Sequence, residues 1–203
     1  MRVKADEELS SRGRPRDETV DAALLEACIT VLGDEGFGNL SFAKIAALAG
    51  SSRAAIYRRW PNKTDMALAA VNRLFENSLI EYKQTGDVYV DVRAVLRDAI
   101  TLLSVPRNTK AIAALVAAAH HASESFGLKG FVRARRGIVM RKMLEGGVKA
   151  GQLPKDFGVE IAIDALFGPI FYRFLVLGTP MKATEVDDLM ALCLPVPEIE
   201  KAM

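Results

Sequence analysis

The sequence predicts an all-α fold of about nine helices. An N-terminal three-helix helix-turn-helix unit precedes a larger helical domain. Three observations predict it. Apolar residues recur at helical spacing, and no long segment alternates with period two. Half of the 203 residues are hydrophobic, with valine and isoleucine scattered through alanine- and leucine-rich segments. Glycine and proline clusters fall between the periodic segments, where helices must end. The expected division is a disordered basic arm over 1–16, a helix-turn-helix domain over 17–62 and the larger domain over 63–203.

The formal net charge of +2 is close to neutral, so affinity for a polyanion has to come from a local patch. Cys28 and Cys193 sit in apolar helical contexts far apart in sequence and read as buried free thiols rather than a disulfide or metal site. The N-terminal residues lack the apolar core of a signal peptide, and the longest apolar runs fall short of the ~20 residues that span a bilayer. A soluble cytoplasmic protein with no membrane partner and no cofactor is expected.

In the arm, Arg12, Arg14 and Arg16 alternate with small residues. Arg14 and Arg16 suit phosphates or an adjacent minor groove; a solubilising tail is the competing reading. The first helix is expected from about residue 18 to 34, capped by Asp17, with Val20, Ala23, Leu24, Ala27, Val31 and Leu32 inward.

Residues 40–63, LSFAKIAALAGSSRAAIYRRWPNK, carry the candidate site. Ser41 caps a helix with Phe42, Ile45, Ala46, Leu48 and Ala49 on its apolar side. Gly50 supplies the turn. Ser52 caps a second helix running to Trp60, which Pro61 stops. Ile56 and Trp60, four apart, face inward. Ala54 and Arg58 lie opposite, flanked by Ala55 and Tyr57. No acidic residue occurs from Phe37 to Thr64, while Lys44, Arg53, Arg58, Arg59 and Lys63 do. Two short helices around a tight turn, with an acid-free basic face on the second, match a helix that enters the DNA major groove. An ordinary helical hairpin with a solvated basic face has the same local pattern.

Asn62 caps a fourth helix extending to about Tyr82, with Met66, Ala70, Leu74 and Leu79 on its stripe and Lys63 placed to meet a phosphate. Helix five is expected over 90–104, with Val92, Val95, Leu96, Ala99, Ile100 and Leu103 inward. Pro106 and Asn108 break it. Helix six, TKAIAALVAAAHHA, is alanine-dense, which permits close neighbours or a cavity. Helix seven covers about 125–150, and its arginines read as a solvated face. Helix eight, 157–177, is apolar on most sides and should kink at Pro169. A last helix spans 184–193. Two such apolar C-terminal helices suggest a four-helix dimer interface, with candidates Ile163, Ile170, Phe174, Val186, Leu189 and Met190.

Through GDEGF, LSFAKIAALAGSS and AAIYRRWPNKTDM, the chain resembles the tetracycline-repressor (TetR) family of bacterial regulators, most strongly over 17–70. AGQLPKD and ALFGPIFYRFLVLGTPM resemble a regulatory domain common in that family. The resemblance implies an all-helical homodimer, with 17–62 as the domain that binds double-stranded operator DNA and 63–203 as a ligand-binding and dimerisation domain that takes a small-molecule effector. By position, Ser41 and Lys63 would contact phosphates. Ser52, Arg53, Ala54 and Tyr57 would lie at the groove, Tyr57 mostly toward the backbone. Ser51 departs from the family's usual aliphatic residue, either weakening the turn's packing or adding a polar contact.

An effector of apolar or aromatic character is expected near Leu96, Ile100, Leu103, Leu115, Ala119, His120, Val132, Phe167 and Phe171. Plain core packing is the better account of any single one of these. A repressor released by its effector through the fourth helix is the expected function. An activator without a small-molecule ligand and a helical protein-interaction module are the alternatives. An enzyme is not expected: His120 and His121 are the only histidines, and adjacent positions do not form the i, i+4 metal pair.

Overall fold

The computed structural model describes residues 14–77, 85–121 and 135–195. Nine α-helices run in order among them: α1 Arg14–Glu35, α2 Phe42–Leu48, α3 Arg53–Tyr57, α4 Lys63–Asn77, α5 Val88–Leu103, α6 Pro106–His121, α7 Arg135–Lys149, α8 Val159–Phe171 and α9 Val186–Cys193. No strand occurs among the described residues.

Helix starts follow the capping chemistry. Ser41 accepts from Lys44 N, Ser52 from Ala55 N, and Asp87 from both Tyr89 N and Val90 N. The Asn62 Oδ1 accepts from Asp65 N at 2.9 Å, while its Nδ2 donates to the Asp65 carboxylate at 2.9 Å. Several bounds differ from expectation. Helix α1 begins at Arg14, inside the segment expected as a disordered arm, with Pro15 in a first turn that needs no internal N–H donor. By the same logic Pro106 opens α6 instead of breaking the chain. Helix α3 ends at Tyr57 rather than Trp60, although Arg58, Arg59 and Trp60 still donate back to Ala54 and Ile56 carbonyls. The expected end of α4 near Tyr82, including Leu79, lies outside the described residues, as does the first part of the expected helix seven.

Helix α1 is buried on more sides than one stripe allows. Leu24, Leu25, Ala27, Cys28, Ile29, Val31 and Leu32 are all buried, because α2 and α4 pack on one flank and α6 on another. Ala23, expected inward, is exposed. The α1–α6 approach is close: a Cβ on Gly33 would lie 2.9 Å from the Arg107 carbonyl oxygen. The Arg107 guanidinium also pairs with Glu26 and lies 3.3 Å from the Thr30 hydroxyl. Expected stripe residues Val92, Val95, Leu96, Ala99, Ile100 and Leu103 of α5 are all buried. The Gln152 side chain, from the turn after α7, accepts from Val88 N and donates to the Gly86 carbonyl, each at 2.7 Å, and so caps α5 from outside. Tyr89 Oη lies 2.7 Å from the Pro195 carbonyl and 3.1 Å from that of Gln152, fastening the end of the described chain to the same corner.

Pro169 lies inside α8, where it supplies no backbone N–H. The helix widens after Phe171 into a π-helical stretch, Tyr172–Leu177, which ends at Gly178 with φ of +64°. One continuous apolar core runs from Leu24 through α4, α5 and α7 to Leu194. Of the residues expected at a dimer interface, Ile170, Phe174, Val186, Leu189 and Met190 are buried in this core, and Ile163 is half-buried. A side chain already enclosed by its own chain offers no surface to a second one. The outer sides of the same elements instead expose Ile161 (70 %), Tyr172, Val176 (69 %), Leu177 and Leu192 (86 %). No described helix is long and apolar enough to cross a membrane.

Candidate nucleic-acid interface

The α2–α3 turn is built by Gly50 at φ of +61°. Ser51 N donates to the Ala46 carbonyl at 2.9 Å and Gly50 N to that of Ala47 at 3.3 Å, the paired bonds of a Schellman ending. An apolar residue after the glycine would normally pack back on the helix in this motif. Ser51 supplies its backbone N–H to this ending and no apolar side chain to pack on it.

The turn sets the direction of α3, and burial fixes its phase. Ala55 and Ile56 are buried. Ser52, Arg53, Ala54, Tyr57 and Arg58 are exposed. At about 100° per residue, Arg53, Tyr57, Ala54 and Arg58 follow one another across an outward arc of about 140°. Ala55, expected to flank the outward side, is therefore inside, and Arg53 takes a place on the arc. Trp60 is half-buried and packs on the core as expected.

Charge pairing then sorts the five cations of the acid-free stretch. Lys44 is held by Glu35, on the end of α1. Arg59 pairs with Asp21 and donates to the Ala55 carbonyl at 3.0 Å. Both carboxylates lie outside 37–64, so the absence of acid within the stretch overstates its free charge. Arg53, Arg58 and Lys63 have no ion pair among the described residues. Lys63 Nζ stands 4.8 Å from the Phe37 ring centroid, a cation–π contact that orients the ammonium while leaving it exposed. The Tyr57 ring meets Phe42 edge-on, with centroids 4.9 Å apart and planes at 78°. That contact positions the ring while 61 % of the residue remains exposed. Between α2 and α4 lies an open depression of about 270 Å³ lined by Leu40, Ser41, Phe42, Tyr57, Pro61, Asn62 and Lys63. Its ammonium and hydroxyls make it a suitable seat for a phosphate oxygen.

The family model described as bacterial regulatory proteins, tetR family, matches residues 24–70, spanning this surface. A second, the tetracyclin repressor-like C-terminal domain, matches residues 83–193. The chain belongs to the TetR family. An uncharacterised helix-turn-helix transcriptional regulator of Bacillus subtilis, YdeS, is 31 % identical over 186 residues, covering 89 % of this chain and 91 % of that one. Among solved structures, the TetR-family regulator SCO0332 is 27 % identical with a TM-score of 0.66, covering 86 % of this chain and 96 % of that one. The Bacillus subtilis regulator FadR, solved in complex with stearoyl-CoA, shares the fold at 17 % identity, with a TM-score of 0.65 and coverage of 85 % and 96 %. The TetR family is one of DNA-binding transcriptional regulators, not of enzymes.

Of the other expected site residues, Leu96, Ile100, Leu103, Leu115 and Phe167 are buried in the common core. Phe171 is half-buried, its ring centroid 6.2 Å from that of Phe167. Val132 and the side chains of Arg14, Arg16, Ala119 and His120 lie outside the described residues. Two features of this surface escape sequence reasoning. Removal of Lys44 and Arg59 from the free charge depends on partners 9 and 38 positions away. Leu48, expected on the apolar side of α2, is 56 % exposed because that helix meets the core only through its first turn and Ile45–Ala46.

Proposed function

We propose that the chain is a cytoplasmic, ligand-responsive repressor that binds a palindromic operator as a homodimer and is released by a small apolar or aromatic effector. The observation that carries this reading is the outward arc of Arg53, Tyr57, Ala54 and Arg58, unpaired by acid and flanked by the Ser41–Lys63 depression. In this reading Ser41 and Lys63 hold phosphates, and Ser51 and Ser52 lie at the groove edge. Arg53, Ala54 and Arg58 enter the groove, Tyr57 turns mostly toward the backbone, and Arg14 and Arg16 meet phosphates or the adjacent minor groove. Phosphate contacts supply affinity and its salt dependence; the few base contacts supply sequence choice.

The homodimer forms through the exposed strip of Ile161, Tyr172, Val176, Leu177 and Leu192 on the outer side of the two C-terminal helices. A two-fold axis there presents two copies of α3 to two half-sites. Residues 17–62 form the reading domain and 63–203 the regulatory one. An effector lodged among Leu96, Ile100, Leu103, Leu115, Phe167 and Phe171 repacks the α5–α6–α8 core. Two connections carry that repacking to α3: helix α4, and the α6–α1 contact at Arg107 and Gly33. DNA affinity falls by the effector's differential affinity for the two arrangements. The FadR complex with stearoyl-CoA supports an apolar effector on this fold.

The test is selection of duplexes from a random pool by the full-length protein, repeated with candidate effectors. Enrichment of a palindrome bound by two chains, and lost on adding one effector, is the expected result. Failure to enrich any sequence would reject the reading.

A further inference from the structure

Residues 40–61, all of α2 and α3 with their turn, contain no aspartate, glutamate, asparagine or glutamine. These are the side chains that read adenine through a bidentate amide or cytosine through an acceptor. The nearest carboxamide, Asn62, has both polar atoms engaged by Asp65. Asn39, on the other side, donates its amide to the Glu35 carbonyl. Lys44 and Arg59 are withdrawn by their carboxylate partners.

What remains on the outward arc is narrow. Arg53, in the first position of α3, carries a planar guanidinium with no partner among the described residues. Ala54 is exposed between Tyr57 and Arg58 on the arc, leaving a shallow apolar seat bounded by two larger side chains. Tyr57 is tied to Phe42 and faces the depression shared with Lys63. Arg58 follows the last helical residue and lies at the far end from Arg53.

We infer that the half-site is read by a two-letter code: a guanine whose O6 and N7 accept from the Arg53 guanidinium, and a thymine whose methyl packs on Ala54. Adenine and cytosine have no carboxamide or carboxylate reader on these two helices. The inference rests on the DNA-binding reading above and names which base atoms it uses.

The experiment takes the sequence enriched by the full-length protein and replaces single bases chemically. Substitution of 7-deazaguanine removes the N7 acceptor and leaves pairing intact. Uracil for thymine removes the methyl alone. In gel-shift titrations, one guanine per half-site is expected to lose roughly tenfold in affinity on 7-deaza substitution, and one thymine a smaller factor. Arg53→Ala should lose base preference at that guanine and no longer respond to the 7-deaza change. Because Arg53 is exposed, the variant should fold, and its thermal melt is checked beside the wild type. Arg53→Lys should retain phosphate-like affinity with weakened guanine preference.

An enriched site in which no guanine responds to the 7-deaza change, or whose guanine preference survives Arg53→Ala, overturns the two-letter code and leaves the DNA-binding reading standing. Absence of any enriched site overturns both.

Discussion

Arg59 and Arg53 differ by six positions in one basic stretch, yet one is spent on Asp21 of α1 and the other faces outward. Arg53→Ala and Tyr57→Ala should therefore weaken operator binding about 5- to 150-fold, corresponding to the ~1–3 kcal/mol of a DNA contact, while the chain's oligomeric state stays unchanged in light scattering. Arg59→Ala acts differently. It frees Asp21 and strips support from α3, so it should lower the melting temperature as well as DNA affinity. The two thiols also separate at this scale. Burial pushes Cys28 up to about 12, with desolvation as the cause, and leaves it fully enclosed in α1. Cys193 is shifted upward by the same cause but is only half-buried. Mass spectrometry after brief alkylation at neutral pH should find Cys193 modified and Cys28 untouched until denaturant is added. Equal labelling would contradict the packing of α1. Apolar context alone marks both cysteines as interior, and only the fold distinguishes them.

The starts of α2, α3 and α4 were legible because their caps are local: Ser41, Ser52 and Asn62 all bond within three residues. Pro106 was misread because a proline ends one helix and opens the next with equal ease, and the sequence does not say which. The cap of α5 was only half legible. Asp87 is local, but Gln152 reaches Val88 N from 64 residues away. Val88 is buried, so Gln152→Ala leaves an enclosed N–H unpaired and should cost about 1–3 kcal/mol in urea unfolding, with Gln152→Glu partly restoring it as an acceptor. A pH effect belongs to the short turn before α9. The hydrogen bond from Arg173, followed by that from Lys182 N, holds the Glu185 carboxyl below its ordinary range. A lowered acid contributes stability above its unfolded value and loses it as pH falls through the folded one. Unfolding midpoints of wild type and Glu185→Gln should therefore differ at neutral pH and converge in acid. Widening of the difference in acid would reverse the assignment.

The whole chain shows where periodicity stops being informative. Helix α8 is apolar nearly all round, so its spacing identifies a buried helix without saying which side its own core takes. The core took Ala162, Leu166, Phe167, Ile170 and Phe174, leaving Ile161 and the Tyr172–Leu177 segment outside. Placing glutamate at Ile161 and Val176 should convert the proposed dimer to monomers in sedimentation and reduce operator affinity, while helical circular dichroism is retained. Persistence of the dimer would move the interface elsewhere. The α1–α6 contact has an equally global role. Gly33→Val pushes a side chain against the Arg107 carbonyl, which a backbone atom cannot easily evade, and should cost about 1–3 kcal/mol. That contact also bears on modularity. A chimera cut at Asn62 and given another regulator's reading head would carry in an α1 shaped for a different α6. Grafts made that way should express poorly unless a glycine at position 33 and an acid at 26 travel with the graft, or α6 is exchanged together with the head. New specificities are therefore easier to reach by rewriting α3 in place than by exchanging parts.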